Sequence, residues 1–235
     1  MKLLVLDTST EYCSAALWLD GHVHARRVLA GQRHSSLLLP MVDELLRESD
    51  TRLRQLDGLA YGAGPGSFTG LRIACAVTQG LAFGADLPVV GVSTLESIAA
   101  QTGADKVLTV LDARMAEVYW AAYQREAKPS DGHRRWRAVI APALALPESV
   151  HVPDGGNWVG AGNGFAALGE VLRPRLAAQL ARIDDTLMPD AAAMAPLAAQ
   201  AFARGGGMDA ALAAPVYLRD KVALTVDERR ARTTA

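Results

Sequence analysis

Two stretches of the chain carry the same pattern, and that pattern limits the architecture more than any other feature. "KLLVLDTSTEYCSAALW" (2–18) and "KVLTVLDARMAEVYWAAY" (106–123) each begin at a Lys and run through apolar residues to an Asp. Each then turns and enters a second β-rich segment. The apolar runs are short and continuous, as in strands buried on both faces. Their separation of roughly 105 residues exceeds any solenoid period. The repeat therefore predicts two similar lobes, each a mixed β-sheet with helices packed on it, in an α/β chain.

The remaining signals fit that frame. Asp20-Gly21 predicts a type I′ hairpin between two strands in 14–29. "HSSLLLPMVDELLRE" (34–48) predicts a helix capped by Ser35 or Ser36 and bent or begun at Pro40. Residues 56–64 read as a strand, 69–84 as a second helix and 88–92 as a strand. Ser93 with Glu96 opens a capped helix. In the second half, 156–172 reads as strand, glycine turn and helix, and 190–207 as an Ala-rich helix. The 235 residues suffice for one large or two small domains, and a net charge of −1 excludes a strongly basic nucleic-acid binder. Cys13 and Cys75 have no CxxC spacing, and no apolar run approaches the length of a membrane span, so a reducing, cytosolic setting is expected.

"YGAGPGSFTGLRIA" (61–74) is the stretch most suggestive of chemistry. It lacks both the GxxxxGK[ST] spacing with its Lys and the third Gly of GxGxxG. What is left is a tight strand-to-helix junction with Ser67 and Thr69 available as caps. Its glycines serve close backbone approach. Among the five histidines, His34, His133 and His151 are isolated, while His22 and His24 share one strand face without a third ligand. No GxSxG or HExxH is present.

"GPGSFTGLRIA" resembles the signature of the TsaB family of bacterial tRNA threonylcarbamoyladenosine biosynthesis proteins. "LVLDTST", "HSSLLLPMVDELL", "GVSTLESIA", "LDARMAEVYWAAY" and "PVYLR" agree, so the resemblance runs nearly end to end. It implies the two-lobed actin/sugar-kinase-like (ASKHA) fold. On that basis the first lobe is expected to span 1–104, completed by 208–225, and a smaller degenerate lobe 105–207. The resemblance also implies a non-catalytic relative of TsaD, the transferase that modifies the adenosine adjacent to the anticodon. TsaD holds metal through a His-x-x-x-His pair, and matching strand and helix places Thr94 and Ile98 at those positions. Neither replaces an imidazole, so no catalytic, cofactor-binding or metal-ligating residue is expected. Asp7 and Asp112 stand where kinase-type relatives hold phosphate and Mg²⁺. The second turn carries Ala113, Arg114 and Met115 in place of glycines, and Arg114 with Glu117 reads as a structural ion pair. An ATP-dependent phosphotransferase of the same fold is the alternative.

The helices supply the expected interface. At about 100° per residue the apolar positions of 37–46 spread over about 200°, wider than one sheet covers. The helix from 69 to 84 shows the same excess. Leu38, Met41, Val42, Leu45, Leu46, Ile73, Val77 and Leu81 are the expected contact residues, presented by the structural turn Gly64, Pro65, Gly66, Ser67, Phe68, Thr69 and Gly70. The resemblance implies pairing with TsaD, or as a homodimer when alone, with the TsaE ATPase joining the complex. Contact with tRNA is expected only through the complex, with the basic run "HRRWR" (133–137) reading as a solvated loop more readily than as an RNA contact in which Trp136 stacks on a base.

Overall fold

Both repeat copies fold as antiparallel strand pairs, β1 (Lys2–Asp7) with β2 (Tyr12–Leu19) and β6 (Lys106–Asp112) with β7 (Val118–Arg125). The structure is a computed structural model and describes residues 1–126 and 135–219. The end of the expected completing segment (220–225), His133 and Arg134 lie outside the described residues. In the first sheet β3 (His22–Leu29) pairs with β2, and β4 (Gly58–Gly64) and β5 (Val89–Ser93) extend the other side in parallel, giving the order β3-β2-β1-β4-β5. The second sheet adds β8 (Trp136–Ala145), β9 (Trp158–Ala161) and β10 (Leu180–Asp184) in the order β10-β9-β6-β7-β8. Strand for strand, order and direction repeat, with β6, β9 and β10 parallel and β6, β7 and β8 antiparallel. The weak sequence repeat is thus a repeat of topology.

Buried strands need cover on both faces. Leu4 and Leu6 of β1 face α1 (His34–Glu48) and α2 (Phe68–Ala85), while Leu3 and Val5 face α6 (Ala191–Ala203). In the second sheet Val107, Leu111 and Tyr119 pack with α3 (Thr94–Gln101). Leu108 and Val110 pack with α4 (Gly164–Ala167) and α5 (Gly169–Leu176). Chain order assigned α6 to the second lobe; its Met194, Ala195 and Ala198 instead close the open face of the first sheet. Among the described residues no helix is long and apolar enough to cross a membrane.

Local chemistry explains most element ends. Asp20 and Gly21 both take positive φ, as the type I′ turn requires. Ser93 caps α3 by accepting from the Glu96 amide, and Asp190 caps α6 by accepting from Ala192. The expected Ser35 or Ser36 cap of α1, and a start of the helix at Pro40, do not hold. Arg33 is its N-cap, without a side-chain cap bond, and the helix runs through Pro40. Pro40 lies on the exposed side, where water can satisfy the carbonyl its missing N–H leaves free.

The glycine junction after β4 is closed by backbone. The Ser67 amide donates to the Ser9 carbonyl at 2.7 Å, and Thr8 Oγ1 donates to the Gly70 carbonyl at 2.6 Å. A Cβ on Gly70 would lie 1.9 Å from the Thr8 carbonyl oxygen, and one on Gly66 would lie 2.6 Å from that of Ser9. Only glycine lets the start of α2 rest on the turn that follows β1. Gly80, in the same helix, meets nothing within 4 Å. Thermal melts of two alanine variants should therefore move in opposite directions. Gly70→Ala costs about 3 kcal/mol or more by overpacking. Gly80→Ala gains about 0.5–1 kcal/mol through helix propensity.

Candidate functional site

The turns that follow the two repeat strands face each other across a cavity of about 420 Å³ between the lobes. Ser9, Thr10 and Ser67 line one wall, and Asp112, Arg114 and Asn163 the other. On the second wall Arg114, Met115 and Ala116 have φ of 61°, 57° and 59°, a left-handed run that non-glycine residues adopt only under restraint. The restraint is visible. Arg114 bonds Asp112 through its amide at 2.8 Å and its guanidinium at 3.1 Å. Arg219 pairs with Glu117 and donates to the Ala113 carbonyl. The expected Arg114–Glu117 pair is thus replaced by two others, because the C-terminal segment brings Arg219 across the cleft.

Asp7 lies beneath the first wall and is fully buried. Its Oδ2 accepts from the Ser9 hydroxyl at 3.0 Å, while Oδ1 has no partner among the described residues. Burial pushes its carboxyl up to about 7, against the smaller opposing effect of the Ser9 bonds. Thr94 and Ile98 are both buried in the core, where the Thr94 hydroxyl donates to the Pro65 carbonyl. Among the described residues no three His, Cys, Asp or Glu side chains converge as a metal cage. His34 is buried with Nε2 against the Thr10 carbonyl, His151 packs edge-on to Trp120, and His22 and His24 sit exposed on β3. Trp136 is partly buried; it packs against the α6-covered face of the first sheet and the α3-covered face of the second, with the Arg125 guanidinium 4.7 Å from its ring centroid.

The expected contact helices divide. Leu38, Met41, Val42 and Leu45 are buried in the chain's own core, Val42 at 3% exposure. The broad apolar arc of α1 is used internally, because α1 meets both the sheet and α2. Its exposed side carries Asp43, Glu44, Arg47 and Glu48. Leu46, Ile73, Val77 and Leu81 remain partly exposed. On α2 the outward face comprises those last three with Phe68, Thr69, Arg72, Ala76, Gly80, Phe83 and Gly84. Phe83 is 82% exposed. One charge, Arg72, stands on the entire face.

A helix face so poor in charge is unusual at a protein surface. A family model described as "TsaD: tRNA N6-adenosine threonylcarbamoyltransferase" matches residues 27–231. The chain is 44% identical to the tRNA threonylcarbamoyladenosine biosynthesis protein TsaB of Escherichia coli K12, over 95% of this chain and 96% of that one. The chain belongs to the TsaB family. The TsaB of Haemophilus influenzae is 38% identical over 94% and 95% of the two chains. Among solved structures, YeaZ from Pseudomonas aeruginosa superposes with a TM-score of 0.80 at 40% identity, covering 92% of this chain and 99% of that one. A second Pseudomonas aeruginosa structure, described as similar to peptidase YEAZ, reaches 0.83 at 41% identity, covering 93% and 99%. The fold is the two-lobed ASKHA-type α/β fold that the TsaB resemblance implied.

For a TsaB-family chain the surface residues that sequence reasoning did not count as contacts are Arg72, Phe83 and Tyr217, while Phe68 was read only as part of the structural turn. For the helix residues the signal was present, since 68, 72, 76, 80 and 83 follow one helical stripe; Tyr217 lies outside it. The buried Asp7 supplies a test of the site's electrostatics. Its carboxyl is raised from 3.8 to about 7 in the fold, so the native state holds the extra proton between those values. Stability is then lost as pH rises through that window. Asp7→Asn keeps an acceptor for Ser9 and does not titrate. Its melting temperature relative to the parent should climb from pH 4 to about 7 and level off above. A difference independent of pH would show that Asp7 ionises freely.

Proposed function

We infer that the chain is a non-catalytic scaffold subunit of the tRNA N6-threonylcarbamoyladenosine transferase complex. In this role it binds TsaD and holds it in the active form for modification of the adenosine adjacent to the anticodon. The TsaE ATPase joins the complex, tRNA is met only through it, and the setting is the cytosol. The observation that carries the proposal is the outward face of α2. Phe83, Ile73, Val77 and Leu81 surround a floor of Ala76, Gly80 and Gly84, and, the helix's own backbone apart, nothing among the described residues lies within 4 Å of the place a Cβ would occupy on either glycine. Such a floor lets a partner helix approach closely. In the chain alone the same face supports a homodimer.

The rival, an ATP-dependent phosphotransferase, draws support from the cavity and its Ser9, Thr10 and Asp112 walls. Against it stands the turn at 113–116, which has no glycine to bring backbone amides to a phosphate. Its local cations, Arg114 and Arg219, are already paired.

Two substitutions separate surface from core. Val77→Glu leaves the carboxylate in water in the free chain and buries it in the complex, where an unpaired charge costs several kcal/mol. The variant should melt like the parent and fail to co-purify with TsaD from the same cell. Val42→Glu buries the charge in the chain itself and should lower the melting temperature by about 10 °C. TsaD binding by Val77→Glu at parental affinity would remove α2 as the docking helix.

A further inference from the structure

Arg72 is the one cation on the outward face of α2, and its surroundings fix it in place. Its guanidinium carbon stands 3.9 Å from the centroid of the Phe68 ring and 5.9 Å from that of Tyr217. Nε donates to the Tyr217 hydroxyl at 3.0 Å. The two rings themselves lie 5.2 Å apart, tilted by 37°. Arg26, Arg27, Arg114, Arg173 and Arg219 all pair with carboxylates. Arg72 has no ion-pair partner among the described residues, and its terminal amino groups make no hydrogen bond there.

An exposed arginine normally spends conformational entropy when it binds. Here stacking and the Nε bond have already ordered the side chain, and the two free amino groups present the planar fork that matches a carboxylate. We propose that Arg72 receives an Asp or Glu side chain of the protein partner that covers α2, and that this pair sets the partner's register on an otherwise uncharged face. The proposal rests on the docking role of α2 inferred above. A carboxylate fits better than an RNA phosphate, because a nucleic-acid backbone is held by several cations and α2 offers no second one. Tyr217 gives the pair a further dependence. It comes from the C-terminal segment, whose Val216 amide bonds the Ala63 carbonyl on the neighbouring strand β4. The fork is therefore built by two separate parts of the chain.

The test is titration calorimetry of the full chain with TsaD of the same cell, at low and high salt, with melts of each variant as a folding control. Arg72→Met keeps bulk over Phe68 and removes the fork, and it should weaken binding about 30-fold or more. It should also flatten the salt dependence. Arg72→Lys should recover only part of the loss, and Tyr217→Phe should weaken binding less than Arg72→Met. If Arg72→Met binds TsaD within twofold of the parent while Val77→Glu does not bind, the carboxylate proposal is wrong and the docking helix stands. If both bind normally, the docking inference fails and the proposal falls with it. Loss of tRNA affinity in Arg72→Met with unchanged TsaD binding would assign the fork to phosphate and overturn the proposal.

Discussion

Two backbone contacts hold helix α2 in place: Thr8 against Gly70 and Ser9 against Gly66. They put the first turn of α2 directly on the turn that leaves β1. Everything C-terminal in the helix inherits its direction from that contact. Leu71, Ala74, Cys75, Thr78 and Ala82 are turned inward, which forces Arg72, Ala76, Gly80 and Phe83 outward. A glycine-rich turn before a helix usually signals a phosphate site because its amides are free. At this junction the Ser67 amide is taken by a carbonyl and the Gly70 amide by the Ser67 hydroxyl. The same glycines that would admit a phosphate admit the protein's own backbone.

The two lobes share one topology and have diverged at equivalent turns. The first keeps small hydroxyl residues and buries Asp7 beneath them. The second closes its turn with Arg114 on Asp112 and with Arg219 on Glu117, holding three left-handed residues that would relax without them. The C-terminal segment is what joins these events. Its Ala214 exchanges two hydrogen bonds with the Tyr61 hydroxyl, Tyr217 stacks on α2, and Arg219 reaches the second lobe. A single strap thus spans the cleft and touches both the helix surface and the strained turn.

How much of this was legible in the sequence follows from the range of each interaction. The repeat, the Asp20-Gly21 hairpin and the Ser93 cap depend on neighbours a few residues away, and they read correctly. The junction glycines were read as a device for close approach, although their contacts, Thr8 and Ser9, lie about sixty residues upstream and could not be named. Leu38, Met41, Val42 and Leu45 of α1 lie in the core for a definite reason. An apolar arc wider than one sheet requires a second cover, but it does not say whether that cover is a partner or the next helix, and for Val42 and Leu45 it is the chain itself. Helix α6 was misplaced because sequence order carries no information about which sheet lacks a cover. The stripe that holds Arg72 was legible, but its anchor Tyr217, 145 residues away, was not.

The central claim is that the outward face of α2 is covered when the chain works. Hydroxyl-radical footprinting reads it directly, since Phe83 is the most exposed aromatic side chain on that face. Phe83 and Phe68 should oxidise readily in the dilute chain and become protected when TsaD is added, while Val139 and Leu146 of the second lobe keep their reactivity. Oxidation of Phe83 at the same rate in a formed complex, with protection appearing on the second sheet instead, would contradict it.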